Sequence, residues 1–223
     1  MAGPRLNRRR FLAVAGVTVG ASALTLSGLT ALGADEPPLT LPTINLGEGE
    51  MSNAILVAYA SRAGSTATVA EAIGKTLAEG GARVEVRPIS DVQDLSPYRA
   101  VVAGSAIRGG KWLPEAMQFL RVHQAELSRL PLATFLVCIT MGSPNPKYRE
   151  GVADWMAPVR TIVRPLSEGL FAGVLDFGGL PLNKDTLMLR AATALGALPQ
   201  GDHRDWQAIR AWASSLPKEL SHA

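Results

Sequence analysis

Ala54-Ile55-Leu56-Val57-Ala58-Tyr59-Ala60 runs without a break into Ser61-Arg62-Ala63-Gly64-Ser65-Thr66. The first seven residues form a short continuous apolar run, the pattern of a strand buried on both faces. A helical repeat follows at once. Val69, Ala70, Ile73 and Leu77 recur at three- and four-residue spacing, and Gly80-Gly81 ends the helix. A buried strand feeding an amphipathic helix through a turn of hydroxyls and glycine is the opening unit of a parallel α/β sheet.

The alternation continues outward from there. Arg83-Val84-Glu85-Val86-Arg87 alternates, as a strand nearer an edge would, and Ala100–Ala103 is a third buried run. Pro114 opens a helix with Met117, Leu120 and Leu127 on one side, and Ala133–Ile139 reads as a fourth strand. A helix is expected over Glu150–Arg164 and a fifth strand near Leu170–Asp176. A last helix starts at Asp205 and turns Trp206, Ile209, Ala213 and Leu216 inward. Residues 177–204 are an extra stretch before it, with Thr186–Leu198 as a further helix. Five strands alternating with helices predict an α/β fold, a doubly wound parallel sheet covered on both faces, over residues 53–220. Ligands in such sheets sit outside the carboxyl ends of the strands, where the winding reverses, so the chemistry belongs in the loops after strands one, three and four.

The chain has 223 residues, 47% hydrophobic and 18% charged, which excludes a disordered or collagen-like protein. Its single cysteine excludes an internal disulfide, and one cysteine with three histidines leads us to expect no metal site. The net charge of +3 hints at an anionic partner until it is located. Residues 1–34 carry Arg5, Arg8, Arg9 and Arg10 and no acid, leaving eighteen basic against nineteen acidic side chains in the rest. The basic character belongs to the leader, and no nucleic-acid partner is expected. Arg8-Arg9-Arg10-Phe11-Leu12, followed by an uncharged Gly-, Ala- and Thr-rich stretch to Ala34, resembles a twin-arginine signal. The likeness implies the twin-arginine export machinery as a partner. It also implies a place in the periplasm or on the outer face of the cytoplasmic membrane. An uncleaved N-terminal anchor is the alternative, made poor by the Gly and Thr content. Residues 35–52, rich in Pro and Gly, read as a linker.

Three loops carry the candidate chemistry. In Ser61–Thr66, backbone N–H groups, three hydroxyls and the positive end of a helix meet at Gly64, a set suited to a phosphomonoester. It is neither a P-loop nor a dinucleotide fingerprint. The competing reading makes Ser65 or Thr66 a plain N-cap. The second loop, Gly104-Ser105-Ala106-Ile107-Arg108-Gly109-Gly110-Lys111-Trp112, offers glycines for close approach to a flat ring. It also offers Trp112 as a stacking face and Arg108 or Lys111 to offset charge on a reduced ring. The alternative packs Trp112 under the loop. The third loop, Thr140–Tyr148, is polar and stiffened by Pro144 and Pro146.

Together these residues resemble the flavodoxin family, with Ala63 where many members have a further Thr. The resemblance implies a flavodoxin-like three-layer α/β/α domain of strand order 2-1-3-4-5. It implies FMN as cofactor, held by Ser61, Arg62, Ala63, Gly64, Ser65 and Thr66, by Ser105, Ala106, Ile107, Arg108, Gly109, Gly110 and Trp112, and by Thr140, Met141 and Gly142. Within the family the likeness is strongest to the menaquinone-dependent protoporphyrinogen IX dehydrogenases. It is carried by Ser61-Arg62-x-Gly64-x-Thr66, Ser105-Ala106-Ile107-Arg108-x-Gly110 and Asp205-Trp206-x-x-Ile209-x-x-Trp212-Ala213. That implies an oxidoreductase passing electrons from an organic donor to a quinone, with peripheral membrane contact through Thr186–Leu198 as a further expectation. The alternative is a flavodoxin-type carrier serving a redox partner protein, against which the near-neutral domain counts. Cys138 is expected in the core, His123 on the surface, His203 in a turn, and Trp206 and Trp212 in packing roles. No catalytic acid or base is nominated.

Overall fold

The computed structural model describes residues 41–48, 53–178, 184–216 and 220; the predicted leader lies outside them. In chain order the elements begin with β1 (Ile44–Leu46), β2 (Ala54–Ala60), α1 (Ser65–Glu79), β3 (Val84–Pro88), β4 (Tyr98–Arg108) and β5 (Lys111–Trp112). There follow α2 (Pro114–Val122), α3 (Gln124–Leu127), β6 (Leu132–Cys138), α4 (Pro146–Glu150) and α5 (Ala157–Arg160). The chain continues with β7 (Ser167–Ala172), β8 (Val174–Leu175), α6 (Lys184–Ala194), β9 (Gly201–Asp202) and α7 (Trp206–Ser214).

The main sheet runs β1-β3-β2-β4-β6-β7. Its five parallel strands stand in the expected order 2-1-3-4-5. Every residue of β2 and β6 is buried, as their unbroken apolar runs require. Alternate residues feed two cores. Ile55, Val57, Val102, Phe135 and Val137 face α1 and α7, and Leu56, Ala58, Val101, Leu132 and Leu136 face α2, α3 and α5. The result is three layers, with the apolar stripe of α1 (Val69, Ala70, Ile73, Leu77) fully turned to the sheet.

Several expectations are corrected. The proposed linker contributes β1, which pairs antiparallel with β3, Ile44 opposite Val86 and Leu46 opposite Val84. An edge position tolerates the flanking Pro42 and Gly47 because only one side of the strand needs bonding. Tyr59 Oη donates to the Pro42 carbonyl at 2.8 Å, holding the start of the strand to the end of β2. Glu85, which alternation points to solvent, is buried; Tyr98 Oη donates to its Oε2 at 2.5 Å and Arg87 pairs with its other oxygen.

The helix expected over Glu150–Arg164 is broken into α4, a 3₁₀ turn over Val152–Met156, and α5. Pro158 cannot donate into a continuous helix and opens a new one instead. The fifth strand sits earlier than expected, at Ser167–Ala172, and β8 then leaves the sheet to pair with β9. His123 is buried, its Nδ1 bonded to Glu126 Oε2 at 2.7 Å and its ring 4.9 Å from that of Phe119. Cys138 is buried as expected, and desolvation pushes its thiol up to about 12, so it is inert as a nucleophile. Trp212 packs edge-on against Phe135 and Phe171 and donates to Ser167 Oγ at 3.0 Å. Trp206 is half-buried against the same core.

Candidate functional site

The three loops leave the carboxyl ends of β2, β4 and β6, which are adjacent in the sheet. The first is built around Gly64, which is left-handed at φ 82° and forms the N-cap of α1. Its N–H donates to Ser61 Oγ at 3.0 Å, so Ser61 folds the turn. No side chain caps α1 and no acid lies in its first turn, which overturns the plain N-cap reading. Thr66 Oγ1 is fully buried and has no partner. A buried hydroxyl left unpaired costs about 1–3 kcal/mol, a cost that a bound phosphate oxygen would remove. The uncapped helix start adds its open N–H groups and positive dipole end. Arg62 turns away, pairing with Glu115 at 3.0 Å across the mouth of a cavity of about 290 Å³ that Leu41, Tyr59 and Ile89 also line.

The second loop is a continuation of β4. The strand runs through Ser105, Ala106, Ile107 and Arg108, turns at Gly109-Gly110 and returns as β5, with Ile107 opposite Trp112. Both glycines have positive φ, 55° and 71°, the requirement of a two-residue type I′ hairpin. They shape a turn as well as clear a surface. Ser105 is not presented to a ligand: it is buried, its Oγ accepts from the Leu113 N–H at 2.9 Å and donates to the Ala106 carbonyl at 2.8 Å. Trp112 is also corrected. It is buried in the core beneath the hairpin, with 5% of its surface exposed, and offers no free face. Ala106 and Ile107 are half-buried, and Arg108, Gly109 and Lys111 are exposed. The aromatic ring actually beside this turn is Trp155. A Cβ at Gly110 would stand 3.0 Å from its Nε1, and the ring is only half-buried. Its placement in a broken helical segment hid it from helical periodicity.

The third loop begins as a 3₁₀ turn over Ile139–Gly142, with Thr140 buried and Met141 and Gly142 half-exposed. The extra stretch folds down onto it. Ser143 Oγ donates to the Ala197 carbonyl at 3.0 Å, the His203 N–H donates to the Gly173 carbonyl, and a Cβ at Gly142 would stand 2.7 Å from His203 Cβ. His203 lies in the short irregular link between β9 and α7 rather than in a turn, wedged over the loop. Within the extra stretch, Arg190 stacks 4.8 Å over the ring of Phe177. Among the described residues no cluster of His, Cys, Asp or Glu could hold a metal, and no helix is long and apolar enough to cross a membrane.

Residues 56–193 match the sequence profile of the flavodoxin domain family. The chain belongs to the flavodoxin domain family. A protein of Leishmania major described as protoporphyrinogen IX dehydrogenase [quinone] is 27% identical over 173 residues, 72% of this chain and 73% of that one. Among solved structures the flavodoxin domain is similar to a flavodoxin from the domain Archaea, at 19% identity and TM-score 0.45, covering 75% of this chain and 99% of that one. It is similar also to oxidised Flavodoxin 1 from Bacillus cereus, at 19% identity and TM-score 0.40, covering 66% and 95%. The cofactor of this flavodoxin domain is FMN, and its chemistry is flavin-mediated electron transfer. The residues present fit it. Gly64, Ser65 and Thr66 would hold the phosphate at the uncapped start of α1, and the Ile107–Gly110 hairpin and Thr140–Gly142 turn would flank the ring.

Proposed function

We propose that this flavodoxin-domain protein is an exported FMN-dependent oxidoreductase that takes electrons from an organic donor and passes them to a quinone. FMN, when bound, accepts electrons from one partner and releases them to another. The observation that carries the reading is the cover on the third loop. Through Ser143–Ala197 and Gly142–His203, the stretch after Gly173 covers the third loop on one side of the site. A carrier that docks a bare flavin edge on protein partners has no use for such a wall, whereas an enzyme that must position a small organic donor does. The 27%-identical relative supports protoporphyrinogen IX, or a compound of its class, as donor and a quinone as acceptor. The absence of a strong charge in the domain supports the same choice over a carrier. Leu187 and Met188 on α6 and Leu195 just after it are exposed at 63%, 42% and 75% and support peripheral contact with the membrane that holds the quinone.

The purified protein is expected to be yellow. Reduced anaerobically, it should be reoxidised rapidly by a soluble menaquinone analogue. Reoxidation by a protein partner alone would replace this reading with that of an electron carrier. The export component has a separate check. Replacing Arg8 and Arg9 together with lysine should strand the full-length precursor in the cytoplasm, measured by fractionation and immunoblotting. Unchanged export would remove the twin-arginine route.

A further inference from the structure

Arg204 follows β9 in the extra stretch, yet its guanidinium reaches the first turn of α1. Nε and Nη2 donate to the two carboxylate oxygens of Asp202 at 2.8 and 2.5 Å. Nη1 donates to Thr68 Oγ1 at 2.5 Å, and the guanidinium carbon lies 4.5 Å from the centre of the Trp206 ring. Only 15% of the side chain is exposed. The hydrogen bonds from Arg204 push the Asp202 carboxyl down to about 2, so the pair stays charged in ordinary solution. A planar fork fixed on a carboxylate and an aromatic face is held in one orientation.

The next link is local. Thr68 Oγ1 donates to the Ser65 carbonyl at 2.9 Å. That carbonyl shares its peptide unit with the Thr66 N–H. In a planar trans unit C=O and N–H point in opposite directions, so a pull on the Ser65 oxygen orients and polarises the Thr66 N–H out of the helix start. A hydroxyl that accepts from a cation is a stronger donor in turn. The base within the phosphate loop itself, Arg62, is taken up by Glu115.

We propose that Arg204 is a positioning residue for the FMN phosphate, acting through Thr68 on the Ser65–Thr66 peptide. The extra stretch then does more than wall the site: it sets the strength of a cofactor amide from the second coordination layer. Gly173, just before the stretch, passes close by the same turn: a Cβ there would stand 3.5 Å from Ser65 Oγ. The inference rests on FMN as cofactor and is independent of which donor or quinone reacts.

The test titrates the apo full-length chain with FMN and, in parallel, with riboflavin, which carries the same ring without the phosphate. Flavin fluorescence quenching gives both dissociation constants. Arg204→Gln and Thr68→Val should each weaken FMN about tenfold, the range of a lost hydrogen bond to a charged group, and leave riboflavin within about twofold. The double variant should be little worse than either single one, because both cut the same relay. Thr68 is exposed, so its substitutions leave the core intact, and Thr68→Ser should bind FMN like the wild type. Equal losses for the two flavins would reduce Arg204 to a fastener of the stretch and overturn the proposal. So would undiminished FMN affinity, or fully additive losses in the double variant.

Discussion

Gly64→Val should yield a folded protein that no longer keeps FMN through purification. Gly64 sits at φ 82°, where a β-branched residue is strained by about 1–3 kcal/mol. The strain is relieved only by turning the backbone back to negative φ. That rotation redirects the Gly64 N–H, which now donates to Ser61 Oγ, and the Gly64 carbonyl, which accepts from the Thr68 N–H at 3.2 Å. The amides of the helix start move with them. Loss of two such contacts to a phosphate corresponds to about a hundredfold in affinity. The fold should survive because Arg62 and Ala63 are exposed, Gly64 is half-exposed, and none of Ser61–Thr66 is a member of either core cluster. Visible flavin absorbance set against far-UV circular dichroism separates the two effects. Normal flavin content would remove Ser61–Thr66 as the phosphate cradle.

The largest expected effect on stability is at Gly104. It lies opposite Phe135 in the pairing of β4 and β6, and a Cβ built there would come within 2.0 to 2.4 Å of three ring atoms. Phe135 has nowhere to go. It is fully buried in a central strand, with the rings of Phe171 and Trp212 at 6.2 and 6.3 Å. Gly104→Ala should therefore cost about 3 kcal/mol, at the upper end of overpacking, and lower the melting temperature by about 6–12 °C. Phe135→Leu should recover much of that loss when combined with Gly104→Ala, although it destabilises on its own. A thermal melt of the four proteins measures the coupling. Additive losses, or a Gly104→Ala protein as stable as the wild type, would show that ring packing does not set the need for glycine.

The parts of the fold legible in the sequence are those where one local rule suffices. The runs at Ala54–Ala60 and Ala133–Ile139 announce strands buried on both faces. The 66–79 stripe and the Gly80-Gly81 stop announce a helix, and Asp205 announces its own cap by accepting from the Ala208 N–H at 2.9 Å. Where tertiary contacts decide, local pattern fails. Nothing in Gly104–Trp112 says that the strand continues four residues past Gly104 and folds back. Trp112 is drawn under the hairpin because β5 pairs with β4, and its burial is a property of that pairing. His123 goes inside because Phe119 and Glu126 receive it. Of the candidate site, the glycine turn into α1 was readable from the hydroxyls, the glycine and the helix that follows. Trp155 and Arg204 were not, because each reaches the site from a distant part of the chain.

β1 also limits how far the chain can be shortened from its N-terminal side. Under the export proposed above, a cut near Thr30–Ala34 would leave Leu41–Leu46 on the domain. A cut a dozen residues later would remove the outermost strand, bare the backbone of β3 and strip Tyr59 of its Pro42 acceptor. An uncovered sheet edge invites pairing with other chains. The Leu41–Leu46 segment is therefore part of the folded domain, bonded to it at both β3 and Tyr59.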